Sequence, residues 1–80
     1  MKLPRDLSGA DLVALLKRYG YQSTHQSGSH IRLTTQRNGE HHLTIPNHQA
    51  LRVGTLNAIL GDVAIHLGLE KSSLIQDLWG

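Results

Sequence analysis

The sequence predicts a small α+β domain, in which helices cover one face of a three-stranded antiparallel sheet. The expected order is α-β-β-β-α, followed by a short C-terminal helix. Three observations lead to this prediction: leucines at helical spacing follow Ser8, two central segments alternate apolar and polar residues, and a second apolar helical stripe follows Gly54. Eighty residues are enough for one domain, residues 1–80, with a thin core.

A first helix is predicted over residues 9–19. Ser8 followed by Asp11 resembles a capping box, in which each side chain bonds to the other residue's backbone N–H. The predicted buried face carries leucines at positions i, i+3 and i+4, namely Leu12, Leu15 and Leu16. Gly20 is typical of a residue that ends a helix in the left-handed conformation.

Three short strands are predicted next, over residues 21–26, 29–35 and 41–45. Alternation in the last two strands places four apolar side chains on the core face: Ile31, Leu33, Leu43 and Ile45. The opposite, solvent-exposed face is then expected to carry five side chains: His30, Arg32, Thr34, His42 and Thr44. Asn38-Gly39 predicts a two-residue hairpin turn, because both central positions of a type I′ turn need positive φ.

Two further helices complete the prediction. One begins near Gly54, with Thr55 as its N-cap, and ends at Gly68. Its apolar stripe consists of Leu56, Ile59, Leu60, Val63 and Leu67. The other covers residues 71–78 and offers Leu74, Ile75 and Leu78 to the core.

Composition limits the classes of function. The chain has no cysteine, which excludes disulfides and thiolate metal sites and fits a reducing cytoplasm. No apolar run approaches the roughly 20 residues that span a bilayer, and residues 1–6 lack the apolar stretch of a signal peptide. We therefore expect a soluble, cytoplasmic protein that does not bind membranes. The formal net charge of +2 is compatible with a nucleic-acid partner.

His30 is the strongest catalytic candidate. It follows Gly28 and Ser29 at a turn, and strand alternation points its imidazole away from the core. An imidazole titrates near neutral pH and can act as acid or base. RNA supplies its own nucleophile, the 2′-hydroxyl, so its cleavage needs proton transfer and a positive charge at the phosphate, which Arg32 on the same face can provide. The alternative is an ordinary solvent-exposed histidine.

Metal binding is disfavoured. His41 and His42 are strand neighbours that face opposite ways, and too few carboxylates lie near His48 to complete a tetrahedral ligand set. We expect no metal and no cofactor. His25, whose facing the pattern leaves uncertain, and His66, late in the second helix, are assigned no role.

Four short segments stand in a specific order along the chain: Lys17-Arg18-Tyr19-Gly20-Tyr21, Gly28-Ser29-His30, Ile45-Pro46-Asn47-His48, and Gly54-Thr55-Leu56 through Ile59-Leu60. In this order and spacing they resemble the HicA toxins, the small ribonuclease partners of HicA–HicB toxin–antitoxin pairs. The resemblance covers residues 3–67 and leaves residues 69–80 as an additional C-terminal helix.

The resemblance implies a fold similar to a double-stranded-RNA-binding domain, and a metal-independent endoribonuclease (an mRNA interferase) that cleaves single-stranded mRNA. It implies that His30 is the catalytic residue and that Gly28 and Ser29 form the turn that sets its angle. Ser29 and His48 join Arg32 as candidates for substrate binding. The implied protein partner is a HicB-type antitoxin that covers the face bearing His30.

Two other functions stay open. One is a non-catalytic RNA-binding module, which is disfavoured because the second helix carries no Lys or Arg from Thr55 to Leu67. The other is a pure protein-interaction domain, since a toxin must also bind its antitoxin. For catalysis, a single histidine cannot accept and donate a proton at the same time. The sequence leaves the second group open among water, Ser29 and His48.

Overall fold

The element order of the chain follows the predicted class. A computed structural model describes residues 3–80, so the first two residues of the N-terminal segment considered above lie outside the described part. Its elements are α1 (Gly9–Leu16), a 3-10 turn (Lys17–Tyr19), β1 (Gln22–Ser27), β2 (His30–Thr35), β3 (His41–Pro46), α2 (Val53–Leu67) and α3 (Lys71–Trp79). The predicted α+β class, the order α-β-β-β-α and the additional C-terminal helix are confirmed.

The first helix begins at the predicted capping box. The Asp11 N–H donates to Ser8 Oγ at 2.9 Å, and the Ser8 N–H donates to Asp11 Oδ2 at 3.3 Å. Because the first N–H groups of a helix have no acceptors within it, these two bonds stabilise its start. The helix is α-helical only to Leu16, and its last turn tightens into a 3-10 turn before Gly20, where φ is 84°.

The sheet is antiparallel with the order β1-β2-β3. The four predicted core side chains are at most 7% exposed: Ile31, Leu33, Leu43 and Ile45. They belong to one core cluster with buried residues of α1, α2 and α3. In contrast, β1, which lies at one edge of the sheet, exposes all six of its residues and contributes no buried side chain.

The tight hairpin turn of the sheet lies at Gly28-Ser29. Ser27 pairs with His30, which leaves only these two residues in the loop between β1 and β2. Gly28 has a φ of 55°, whereas the φ of Ser29 is not positive. Positive φ at the first loop position alone is the pattern of a type II′ turn, whose twist matches that of the flanking strands.

The prediction of a two-residue turn at Asn38-Gly39 is wrong. Thr35 pairs with His41, so residues 36–40 all belong to the connection between β2 and β3. Asn38 and Gly39 do have positive φ, 58° and 96°. The longer loop is held by a contact distant in sequence, in which Asn38 Nδ2 donates to the carbonyl of His66 at 2.8 Å.

The second helix begins two residues before the predicted N-cap. It starts at Val53 with Arg52 in the N-cap position, so the prediction of Thr55 as N-cap is wrong. Leu51 explains the early start, because its side chain is buried in the core and its N–H donates to the carbonyl of Leu7 at 2.7 Å. This contact with a residue distant in sequence fixes where the chain enters the helix. The helix propensities of the residues around Thr55 do not reveal it.

The C-terminal helix is attached to the 3-10 turn after α1 by a polar contact beside its buried leucines, Leu74 and Leu78. Arg18 Nη1 donates to the carbonyl of Asp77 at 2.7 Å, and the hydroxyl of Tyr19 donates to Asp77 Oδ2. The hydrogen bond from Tyr19 lowers the pKa of Asp77, and burial raises the pKa of Tyr19 to about 12.

Replacing Asp77 with asparagine should remove an acid-sensitive part of the stability. A carboxylate whose pKa is lowered by folding stabilises the fold fully above its unfolded pKa of about 3.9, and this stabilisation is lost as pH falls through the folded pKa. Wild type should therefore exceed Asp77→Asn in melting temperature by more at about pH 7 than at about pH 3. Thermal unfolding at both pH values measures this, and an equal difference would contradict the proposed contribution.

Candidate active site

The sheet face turned away from the helices carries polar side chains, and we call it the open face. Residues directly opposite each other in an antiparallel pair project from the same face, so the strand register identifies its members. They are Gln22, His25 and Ser27 on β1, His30, Arg32 and Thr34 on β2, and His42, Thr44 and Pro46 on β3. All are exposed except Thr34 and Pro46, which are half-buried. The five side chains predicted for an exposed face all lie here.

His30 is the first residue of β2 and directly follows the tight turn. It pairs with Ser27 on one side and Pro46 on the other. The φ of 55° at Gly28 lies in the left-handed region, which costs a residue with a side chain roughly 1 kcal/mol. Nothing lies within 4 Å of the position that a Cβ of Gly28 would occupy, so backbone conformation and not crowding requires glycine. The turn therefore makes His30 the first paired residue of β2.

A second predicted segment, residues 45–48, lies beside this turn. Pro46 pairs with His30, and the N–H of Asn47 donates to the carbonyl of Ser29 at 2.6 Å. The structure therefore brings together two segments that are separated in the sequence by most of β2 and β3.

The same segment is joined to the start of α1. The N–H of Gly9 donates to the carbonyl of His48 at 2.9 Å. A Cβ on Gly9 would overlap with the carbonyl oxygen of Pro46 and would lie 3.2 Å from the Cα of Asn47. The helix therefore approaches residues 46–48 more closely than any side chain would allow, while His48 itself is exposed to solvent.

Arg32 lies at the centre of the open face. It pairs with His25 on one side and Thr44 on the other, and it is two residues from His30 along the strand, roughly 7 Å. Among residues 3–80, no carboxylate lies within 4 Å of its guanidinium. An exposed guanidinium that is not held in an ion pair can bind a phosphate through two parallel hydrogen bonds.

His25 also lies on the open face, which the sequence pattern did not establish. The pairing of β1 with β2 shifts between Ser23 and His25, so the alternation of β1 is interrupted. Counting back from the turn at Gly28-Ser29 in steps of two gives the correct facing and places His25 opposite Arg32. That signal is usable only once this turn, and not Asn38-Gly39, is identified as the tight one.

His42 shares the open face but is bound at both ring nitrogens. Its Nε2 donates to Glu40 Oε2 at 3.0 Å, and its Nδ1 shares a hydrogen bond of 2.8 Å with Thr34 Oγ1. The hydrogen bonds from Gln36 and His42 lower the pKa of Glu40. His42 is therefore held in a polar network at the far end of the face, where no ring nitrogen is free for a substrate.

The two histidines behind the sheet hold the β2–β3 loop. His41 Nδ1 shares a hydrogen bond of 2.8 Å with the hydroxyl of Tyr21, and the rings of His41 and His66 stack with centroids 4.3 Å apart. His66 Nε2 donates to the carbonyls of Arg37 at 2.9 Å and Gly39 at 3.0 Å. These contacts tie the loop to α2 and lie away from the open face.

A cavity of about 470 Å³ lies between the 3-10 turn after α1, the β2–β3 loop and α3. Tyr19, Leu69 and Asp77 are among its lining residues, and no residue of the open face lines it.

Within the described chain, residues 3–80, no three His, Cys, Asp or Glu side chains are placed to hold a metal ion. None of the helices in residues 3–80 combines the length and the apolar character that a membrane-spanning helix needs.

The part of the chain that builds this site matches a known family. Residues 9–65 match the family described as the HicA toxin of bacterial toxin–antitoxin systems. This range contains α1, the whole sheet and nearly all of α2, and therefore His30, Arg32 and His48. No curated protein and no solved structure matches the chain. The chain belongs to the HicA toxin family of bacterial toxin–antitoxin systems.

Proposed function

We propose that this toxin is an endoribonuclease that cleaves single-stranded mRNA without a metal, with His30 transferring a proton and Arg32 binding the scissile phosphate. The observation that carries the proposal is the pairing of these two side chains. An exposed imidazole and an exposed guanidinium stand on one face, roughly 7 Å apart along one strand. Family membership supplies the toxin role to which this chemistry belongs.

The reaction needs few groups because RNA brings its own nucleophile. The 2′-oxygen attacks the adjacent phosphorus, so that a 2′-O–P bond forms while the bond from phosphorus to the 5′-oxygen breaks. The 2′-hydroxyl proton passes to a base, and the leaving 5′-oxygen receives a proton from an acid. An imidazole suits either role near neutral pH. The guanidinium of Arg32 stabilises the negative charge that builds on the phosphate oxygens.

The segments on either side of His30 are proposed to bind the substrate. Ser29 occupies the second position of the turn, and His48 follows the segment that pairs with β2. Because the N–H of Asn47 bonds to the carbonyl of Ser29, these two segments form one continuous edge of the open face. We assign Ser29 and His48 to contacts with the nucleotides that flank the scissile phosphate.

A toxin of this family acts within a toxin–antitoxin pair, so an antitoxin is its expected protein partner. We propose a HicB-type antitoxin that covers the open face. The face is polar, exposed and bears both His30 and Arg32, so a protein bound there would exclude RNA from both groups at once.

Incubation of the purified protein with a long single-stranded RNA, with and without a chelator, tests the function. We expect cleavage in both conditions, with products that end in a 2′,3′-cyclic phosphate and a 5′-hydroxyl. DNA of the same sequence should stay intact because it lacks the 2′-hydroxyl. RNA binding without cleavage would support a non-catalytic RNA-binding module instead, and a strict divalent-ion requirement would contradict the proposed chemistry.

A further inference from the structure

We propose that His25 is the second proton-transfer residue of this site and acts with His30 on the same phosphate. This inference rests on the proposed ribonuclease function. It concerns the group that must complete the reaction, since one imidazole cannot accept the 2′-hydroxyl proton and protonate the 5′-oxygen at the same time.

The strand register places the two imidazoles next to each other. Ser27 is the direct partner of His30, and His25 lies two residues before Ser27 on the same strand. His25 and His30 are therefore diagonal neighbours on one face of an antiparallel pair. Such neighbours are about 7–8 Å apart and within reach of each other's aromatic side chains. A phosphate group fits between two rings at this separation.

Arg32 completes a triangle with the two histidines. It is the direct partner of His25 and the next residue on the same face of β2 after His30. A phosphate bound by the guanidinium would therefore lie beside both imidazoles. The nearest charged group that faces His25 is this guanidinium, which binds the anion and takes no proton, because an Arg side chain stays protonated in proteins.

The ring nitrogens of His25 are available for proton transfer. The rings of His41, His42 and His66 are all hydrogen-bonded to protein atoms. Within residues 3–80, neither His25 nor His30 has such a bond, and both are exposed. On the open face, the ring nitrogens of His25 and His30 are therefore free to exchange a proton with RNA, whereas both ring nitrogens of His42 are already bonded.

His25 fits the role better than His48, whose ring is also exposed. β3 ends at Pro46, so the sheet register does not determine the direction of the His48 side chain. The position of His25, in contrast, is fixed by the strand and by Thr24, which precedes it. Thr24 Oγ1 shares a hydrogen bond of 3.0 Å with Thr34 Oγ1 and donates to the carbonyl of Arg32 at 3.4 Å.

The two histidines divide the proton transfers between them. One neutral ring accepts the 2′-hydroxyl proton as the 2′-O–P bond forms, while the other, protonated, ring gives its proton to the 5′-oxygen as that bond breaks. The products are a 2′,3′-cyclic phosphate and a 5′-hydroxyl, and the pair is left with its protons exchanged. Solvent then restores both rings to their starting forms.

The pH dependence of RNA cleavage by wild type, His25→Ala and His42→Ala tests the inference. An acid and a base together give a bell-shaped profile, and loss of one of them removes one limb. We expect wild type to show both limbs, and His25→Ala to lose one limb and about 100-fold in kcat/KM. His42→Ala is the matched control, since it removes a histidine from the same face but should keep both limbs and the wild-type rate.

A further variant separates proton transfer from positive charge. His25→Arg keeps a cation at the position but cannot release its proton, so it should be as slow as His25→Ala. If His25→Arg restores the rate, or if His25→Ala keeps both limbs, His25 does not transfer a proton. If His25→Ala cleaves like wild type while His30→Ala is inactive, the ribonuclease function stands and this inference fails. If wild type cleaves no RNA, both fail.

Discussion

Replacing His30 with alanine should lower the rate of RNA cleavage by about 100- to 10,000-fold, the range expected when a general acid or base is removed. The side chain is exposed and, within residues 3–80, has no hydrogen-bonded partner, so its loss should leave the fold intact. The comparison is made under single-turnover conditions with a chelator present. Melting temperatures of both proteins should agree.

His42→Ala serves as the control for this experiment too. It removes an imidazole from the same face, but one whose two nitrogens are already bonded to Glu40 and Thr34. Cleavage by His42→Ala at the wild-type rate, together with an inactive His30→Ala that still binds RNA, would support a chemical role. Cleavage at an undiminished rate by His30→Ala would remove His30 from the mechanism.

Replacing Gly9 with alanine should lower the free energy of unfolding by about 2 kcal/mol, which is typical of an overpacked site. The added Cβ would overlap with the backbone carbonyl of Pro46, and backbone cannot move aside as a flexible side chain can. For a domain of this size the loss corresponds to a fall of roughly 10 °C in melting temperature. Chemical denaturation and thermal unfolding both measure the change.

Gly54→Ala is the matched control for Gly9→Ala. Both glycines lie in the first turn of a helix, but no atom lies within 4 Å of the Cβ position at Gly54. Alanine there should leave stability unchanged or raise it by up to about 1 kcal/mol, because alanine favours the helix. Equal stability of Gly9→Ala and wild type would show that α1 does not need its close approach to residues 46–48.

The sequence predicted the faces of β2 and β3 because one side of each strand is buried. Leu33 and Ile45 alternate with exposed residues, and this period of two also assigned His30 and Arg32 to the exposed side. The start of α1 was predictable for a similar reason, since the capping box is a local interaction between Ser8 and Asp11. Patterns that arise from local geometry or from burial can be read without the structure.

The errors arose where contacts distant in sequence decide the local geometry. Asn38-Gly39 is a strong local signal for a tight turn, but bonds from Asn38 and to Gly39 tie the loop to His66 and favour a longer connection. The start of α2 likewise follows the burial of Leu51. The adjacency of residues 28–30 and 45–48 depends on strand register, which no single segment encodes.

Because β1 has no buried side chain, substitutions on this strand can change the open face with little effect on the thermodynamic stability of the domain. Substitutions there would alter the surface proposed to bind RNA while leaving the core untouched. Under the proposed function, substrate preference could therefore be changed through β1 at little cost in stability, whereas substitutions in β2 and β3 must also preserve the core.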